Sequence, residues 1–542
     1  LSPLRIAILL DDSRVPLWVK DSLDSLAKDK SVNLALVIIN KGVVKKKNNF
    51  ITFPYRILRF IDKSLIKKAR DPFARLSLDL LDSVILEVKP IQTRYSDRFP
   101  DDAISRIKEE KIDIILRFGF RILRGDILSV AKWGLLSLHH GCTKKYRGGP
   151  PAFWEVINKE PVTTVTLQKL TEQLDGGIII GESHLRTNFL SFYMNQVNLY
   201  WAGKELLLES IKKIIKQGPE QYFTQLLIDN YSSFYSEKLY KNPGFFLSCK
   251  LLISWFFHHL KSKWNSLFFI NQWQLIISEN NGHENVLYRH KKIIPAKDRI
   301  WADPFLIIKN NVYYLFFEEK KFSSSIGHIS CLTLNERGTM LSSPQVVLKE
   351  DFHLSYPFVF SYNGQDFMIP ESAQSRNLFL YVSIGFPNKW QKHKMLIAGI
   401  KIYDATLHFH NGYWYLFCNA KEDDSQSSDA YLYIYYSRNF LEEDFIPHSM
   451  NPQYRDVRCS RPAGKIFEKN GRLIRPAQIG TPHYGSGIIL HEIKELTPTS
   501  FVEVEIEKIF PHWDEKNRAL HTLNRLGNLI VGDIQVRRFR WF

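Results

Sequence analysis

Apolar positions come in two textures along this chain. Up to about residue 217, unbroken apolar runs of strand length alternate with stretches of helical period, and from Trp301 onward short aromatic and β-branched segments alternate with Asn-Gly turns. In the first part, residues 5–10 and 32–39 read as strands on either side of a helix at 16–28, the β-α-β opening of a parallel sheet. Residues 112–116 predict a further strand, 125–131 a short helix and 190–217 a long closing helix. No G-x-G-x-x-G follows the first strand, because Asp11-Asp12-Ser13 stands there. A dinucleotide site of the usual kind is thereby excluded.

The second texture is a repeat. Asp303-Pro-Phe-Leu-Ile-Ile runs to Tyr313-Tyr-Leu-Phe-Phe, Tyr356-Pro-Phe-Val-Phe runs through Asn363-Gly364 to Glu371, and Asp404-Ala-Thr-Leu-His-Phe runs through Asn411-Gly412 to Trp414-Tyr-Leu-Phe. Weaker copies open at Arg461 and His521. Hairpin units recurring every ~50 residues predict a β-propeller, here with five blades, and the strand at 273–278 is expected to join the last blade. The fold class is therefore two domains, a Rossmann-like α/β domain over 1–215 and an all-β propeller over 273–542, with an aromatic and basic helical linker at 216–272. Equivalent positions in successive blades converge on the axis. Asp303, Tyr356, Asp404, Arg461 and His521 are expected there, with Glu371 ending an inner strand beside them.

Charge alters the picture of partners. The net charge of +17 invites an anionic partner, yet no zinc-finger, helix-turn-helix or RNA-recognition motif is present, so no specific nucleic acid is expected. Two segments suit an anionic membrane surface instead. One is the lysine- and arginine-rich stretch at 45–70, and the other is the aromatic stretch at 245–269 with Lys250, Lys261 and Lys263. Either stretch also reads as ordinary structure, a solvated insertion in the first case and packing between domains in the second. Five cysteines without a C-x-x-C pair are neither a zinc framework nor a disulfide scaffold, which leaves the metal expectation at none and fits a reducing compartment. No signal peptide is read at the start of the sequence. The expected location is cytoplasmic, peripheral on the inner face of the membrane where the basic segments engage it.

The chemistry concentrates between Leu136 and Glu182. A Ser137-Leu-His139-His140 turn ends one predicted strand, Arg147-Gly148 lies in a Gly-Pro loop opening a helix, and Asp175 ends another predicted strand. A neutral histidine can take a proton from an attacking amine, and a nearby carboxylate can orient the ring.

Taken in order, Ser137-x-His139, Arg147-Gly148 with Pro151, Val165-Thr166 and Asp175 with Gly177 resemble the pattern of the formyltransferase family that includes the methionyl-tRNA, phosphoribosylglycinamide and sugar N-formyltransferases. The resemblance covers roughly 1–215. It implies N10-formyltetrahydrofolate as cofactor, an amino sugar as acceptor, and His139 and Asp175 as catalytic residues. Ser137 stands where the family has an asparagine. Phe118, Gly119, Phe120, Leu174 and Gly176 would wall the folate pocket, and Arg147 and Gly148 would shape the acceptor loop.

The repeat region resembles family 43 glycoside hydrolases and, more closely, the propeller region of plant glucosamine inositolphosphorylceramide transferases, through Ala302-Asp303-Pro304-Phe305, Leu354-Ser355-Tyr356-Pro357-Phe358 and Pro370-Glu371-Ser372. That resemblance implies substrate contacts by Asp303, Tyr356, Glu371, Asp404 and Arg461. The expected function is formyl transfer to an amino sugar in glycan or glycolipid synthesis, with the propeller binding or processing the glycan. Two alternatives stand beside it, a propeller glycosidase or glycosyltransferase on a degenerate formyltransferase domain, and a carbohydrate-binding protein without turnover.

Overall fold

The computed structural model describes residues 2–42, 52–66, 70–78, 84–173, 176–229, 239–279, 284–423 and 427–540. The chain divides into two compact units, Leu1–His259 and Leu260–Phe542. The division falls within the helix Phe245–Phe268, so the stretch read as a linker at 216–272 is shared between them.

The first unit opens as its periodicity predicts, with β1 (Leu4–Leu10), the helix Leu17–Ala27 and β2 (Val32–Asn40). Then come β3 (Val84–Val88), β4 (Ile114–Arg117), β5 (Leu135–His139), β6 (Val162–Lys169) and β7 (Ile178–Arg186). They form one sheet in the order β7-β6-β5-β4-β1-β2-β3, parallel from β5 to β3 and antiparallel at β6 and β7. Continuous apolar runs suit a parallel sheet covered on both faces, and Ile6, Ala7, Ile8 and Leu9 are accordingly buried without interruption. The closing helix is Phe192–Gln217, begun by the Ser191 hydroxyl, which accepts from the Met194 N–H at 3.0 Å. Serine is favoured there because it satisfies an amide that the first turn leaves open.

Two predicted elements differ. The helix expected at 125–131 is a single 3₁₀ turn, Asp126–Leu128, because Gly125 at φ +79° begins it late and Ile127 and Leu128 must reach the core within one turn. The basic stretch at 45–70, insofar as it is described, is no solvated loop. Residues 53–65 form a helix whose Tyr55 and Leu58 pack with Phe153 and Phe192.

The second unit is a run of five antiparallel sheets. They begin with the strands Arg299–Lys309, Ser355–Tyr362, Lys401–His410, Phe467–Lys469 and Asn517–Leu526. Each has four strands in meander order, and the third adds the short strand Tyr454–Arg455. As expected for the segment at 273–278, the strand Phe269–Glu279 pairs with Leu529–Phe539, so the unit's first and last strands share the fifth sheet. Positive φ at both residues of the hairpins Asn310-Asn311, Asn363-Gly364, Asn411-Gly412 and Asn470-Gly471 gives the turn hand that matches strand twist.

The repeat is also written in the backbone. Pairing of the first two strands slips between Ala302 and Phe305, between Ser355 and Phe358, and between Tyr403 and Thr406. Within each slip lies a non-glycine residue in the left-handed region, Asp303 at +52°, Tyr356 at +44° and Asp404 at +50°. Such a conformation costs on the order of 1–3 kcal/mol and persists where surrounding bonds impose it. Here the bulge re-aims one side chain per sheet toward the same interior.

Candidate functional site

In the second unit, the residues opening the repeats are joined by hydrogen bonds. Asp303 accepts from the Thr522 hydroxyl at 2.8 Å and from the Tyr356 N–H at 3.3 Å, and its own N–H donates to Asp533 at 2.9 Å. His521 Nδ1 lies 2.7 Å from Asp533, its Nε2 lies 3.6 Å from Asp303, and its ring stacks on Trp273 with centroids 4.0 Å apart. Burial resists a charge on this ring, but Asp533 and Asp303 outweigh it and raise the imidazole to about 9. His521 is therefore a cation at neutral pH. Asp303, His521 and Asp533 bring ligand atoms within 4.8 Å of one another, and within that cluster His521 Nδ1 is already paired with Asp533.

Across the same interior, Arg461 takes Asp404 with Nε at 2.5 Å and Nη2 at 3.1 Å, and Nη2 lies 3.4 Å from Glu371. Gln478 donates to Asp404 at 2.7 Å. Burial, reinforced by Asp404, pushes Glu371 well above the usual carboxylate range against the pull of Arg461. Burial with Asp404 and Asp533 raises Asp303 to about 6 against His521, and burial with Asp303 raises Glu318 to about 8. These carboxyls are thus held differently, Glu371 and Glu318 shifted toward their protonated forms and Asp404 lying in an ion pair with Arg461. Environments that push titratable neighbours apart are how acid and base roles are divided.

Five of the residues expected at the axis, Asp303, Glu371, Asp404, Arg461 and His521, are thus brought together. Tyr356 is a correction. Its side chain is fully buried against Phe305, and its hydroxyl pairs with Thr406 at 2.8 Å and accepts from the Gly464 N–H at 2.7 Å. It ties three sheets together and offers nothing to a substrate. Glu318, Asp533 and Gln478 escaped the sequence reading because none opens a repeat.

In the first unit, Ser137 and His139 lie on one side of β5 and Leu138 and His140 on the other, since neighbours in a strand alternate. Ser137 is buried, and its hydroxyl accepts from Arg117 Nη1 at 3.1 Å. His139 Nε2 lies 3.0 Å from the Tyr146 carbonyl. A carbonyl only accepts, so Nε2 carries a proton. Asp175 and Leu174 lie outside the described residues. Arg147-Gly148 forms a two-residue strand parallel to Leu239-Tyr240, with Gly148 at φ +85° and a Cβ there only 2.3 Å from the Tyr240 carbonyl oxygen. The loop expected to shape an acceptor site is thus a strand contact at Gly148.

Three of the residues expected to wall a folate pocket, Phe118, Gly119 and Phe120, lie together at the end of β4. Phe120, at φ +64°, turns its ring into the core against Phe99, 5.1 Å between centroids. Phe118, Gly119 and Phe120 all line a cavity of about 340 Å³ at the ends of β1 and β4, together with Asp11, Arg14, Trp18, Arg75, Arg117, His140 and Tyr200. Gly176 belongs to a turn closed by the Thr171 hydroxyl at 3.2 Å. Phe118, Gly119 and Phe120 thus share one cavity, and Gly176 is not among the residues that line it. The sequence passed over His140, which stacks on Tyr200 at 3.8 Å and is held neutral by burial and by His139, its pKa lowered to about 3. The signal was present in the His-His pair, because one of two adjacent strand residues must face the other side of the sheet.

Comparison with known proteins follows this division. Residues 292–539 match the family model described as glucosamine inositolphosphorylceramide transferase 1, N-terminal. Glucosamine inositolphosphorylceramide transferase 1 of Oryza sativa subsp. japonica is 34% identical over 207 residues, which are 38% of this chain and 28% of that protein. Methionyl-tRNA formyltransferase of Clostridium beijerinckii is 31% identical over 139 residues, 24% of this chain and 45% of that protein. The matches thus span less than half the length of either relative. Among solved structures, Zg3597, a family 117 glycoside hydrolase from Zobellia galactanivorans, aligns at 10% identity with a TM-score of 0.33, covering 49% of this chain and 90% of that one. The curated relatives are transferases, one kind acting on glycolipid by name and the other a formyltransferase.

Proposed function

We propose that this chain is a transferase of glycan or glycolipid assembly whose second unit is a five-bladed propeller with a glycosyl site at Asp303, Glu371, Asp404 and Arg461. The observation that carries this reading is the contrast between Glu371, kept protonated by burial and by Asp404, and the ion-paired Asp404 beside it. In a glycosyl transfer the acid gives its proton to the leaving oxygen as the glycosidic bond breaks. A base takes the proton of the acceptor hydroxyl as the new bond forms. Glu371 suits the first role, and Asp303, raised only to about 6, suits the second. Arg461 holds Asp404 in an ion pair beside Glu371. An amino sugar and an inositol phospholipid are the substrate class that the relatives' names, glucosamine inositolphosphorylceramide transferase 1, support.

Formyl transfer by the first unit, from N10-formyltetrahydrofolate to the amine of an amino sugar, is the second reading. The place of His139 at the end of β5, with Nε2 3.0 Å from the Tyr146 carbonyl, supports it, since the resemblance expects there the group that accepts the amine proton. Ser137 and Asp175 would complete the site.

One assay separates the two. The full chain is incubated with a radiolabelled amino-sugar nucleotide and an inositol phospholipid, and in parallel with N10-formyltetrahydrofolate and the same sugar. Glu371→Gln and Asp303→Asn should each lower glycosyl transfer at least about a hundredfold while leaving formylation intact. His139→Ala should do the reverse. Glycosyl transfer within tenfold of wild type in both carboxyl variants removes the axial cluster from the reaction.

A further inference from the structure

The helix Phe245–Phe268 contains no aspartate or glutamate, and Ser248 is its one buried residue. Its large apolar side chains face outward. Phe246 is 88% exposed, Phe257 63% and Trp264 61%, and Ile253, Leu260 and Leu267 are exposed as well. Positions spaced three, four or seven apart fall on one stripe of an α-helix. At ~100° per residue, Lys250 and Lys261 lie along one edge of that stripe and Lys263 along the other. All three lysines are exposed.

The helix Phe53–Leu65 is built alike. Its Tyr55 and Leu58 belong to a small core with Phe153 and Phe192 against which Leu251, Leu252 and Trp255 of the aromatic helix also pack, so both helices cover the same core. Phe60, 75% exposed, points away from that core, as do Phe53 and Leu65, among exposed Arg56, Arg59 and Lys63. Asp62, the only acid of this helix, is turned inward and accepts from the Tyr193 N–H at 2.8 Å. Both outward faces therefore combine apolar side chains with lysines and arginines and carry no acid of their own helix, although Lys63 pairs with Asp71 at 2.7 Å.

We propose that these two helices form a docking face for an anionic lipid bilayer. The rings and aliphatic chains would enter the boundary between headgroups and acyl chains, and the lysines and arginines would reach back to the phosphates. Among the described residues no helix is long and apolar enough to cross a membrane, and a stripe edged by lysines suits a helix lying in the plane of the interface. Charge selects the occupant. A second copy of this chain would bring the same positive face, on a protein already at +17, whereas anionic headgroups complement it.

The test is flotation of the full chain with phosphatidylcholine vesicles, with and without ~30 mol % phosphatidylserine, at ~0.05 M and ~0.5 M salt. Wild type should float with the anionic vesicles at low salt and bind at least about tenfold more weakly to neutral vesicles or at high salt. Phe246→Glu/Phe257→Glu should abolish flotation, and Lys250→Glu/Lys261→Glu should weaken it about tenfold. All four side chains are exposed, and an unchanged urea midpoint confirms that the variants fold. Wild type that ignores anionic vesicles overturns the proposal, as does a phenylalanine variant that floats like wild type. A wild-type dimer that ignores lipid and becomes a monomer in the phenylalanine variant assigns the face to a second copy and overturns it equally.

Discussion

Arg461 grips Asp404 through two nitrogens, at 2.5 and 3.1 Å, and only grazes Glu371 at 3.4 Å. The stronger grip settles the charge of both carboxyls. Asp404 has its cation and a further donor in Gln478, while Glu371, buried next to that charged neighbour, keeps its proton. Removing the guanidinium leaves Asp404 charged and uncompensated in the interior. Arg461→Met should therefore cost about 3–5 kcal/mol in urea unfolding, and Arg461→Met/Asp404→Asn should recover part of it. Equal losses in the single and the double variant would show that the pair is not what the interior depends on.

His521 gives the second unit a pH dependence of definite sign. Its folded pKa of about 9 lies above the ordinary value near 6.5. The stabilisation is complete below that ordinary value and is lost as pH rises through about 9, on the order of 3 kcal/mol in all. Glu318, raised to about 8 by burial and Asp303, prefers its protonated form in the fold and acts in the same direction. Urea midpoints of the second unit should fall from pH 6.5 to 9, and His521→Gln should flatten that slope. A midpoint that rises across this window would contradict the assigned charge.

Much of this was legible in sequence wherever one residue type served one local purpose. Asn-Gly hairpins and the recurring openings at Asp303, Tyr356 and Asp404 located the sheets, and the run from Ile6 to Leu9 located a doubly covered strand. Side-chain direction was the weak point. Tyr356 shares its register and its left-handed backbone with Asp303 and Asp404, yet its ring is too large and apolar to remain at a polar centre and packs on Phe305. Phe118 and Phe120 look alike in sequence, but the positive φ at Phe120 sends the two rings to different places. Asp533 and Glu318 carry no local signal, since their importance comes from partners far along the chain.

His140 predicts an acid limb in the first unit. Burial and His139 lower its pKa to about 3, so the fold holds it neutral where an unfolded chain would protonate it. For a depressed base the stabilisation is complete above the ordinary value near 6.5 and is lost as pH falls, by about 2 kcal/mol at pH 5. His140→Phe keeps a ring against Tyr200 and removes the titration. The variant should lose less stability than wild type between pH 7 and 5, and tryptophan fluorescence during urea unfolding measures the difference. Parallel losses in the two proteins would mean that another group governs this limb.

Gly119 joins the ends of β1 and β4, and a side chain there has nowhere to go. A Cβ would lie 2.4 Å from the Asp11 nitrogen and 2.6 Å from the Leu10 carbonyl carbon. Both are backbone atoms of the neighbouring strand, so no rotamer change relieves the clash. The Phe120 N–H, one residue on, donates to the Asp11 carboxylate at 2.6 Å, and Asn40 donates to the same oxygen at 3.1 Å. Displacing β1 would therefore break bonds on both sides of Asp11 and distort the cavity that Phe118, Arg117 and His140 line. Gly119→Ala should cost about 3 kcal/mol, the upper part of the range for forced overpacking. Gly364→Ala is the control, because that glycine has φ +77° and nothing within 4 Å of its Cβ position, so only left-handed strain of about 1 kcal/mol applies. Similar small losses in both variants would show that β1 yields and that Gly119 is chosen for something other than close approach.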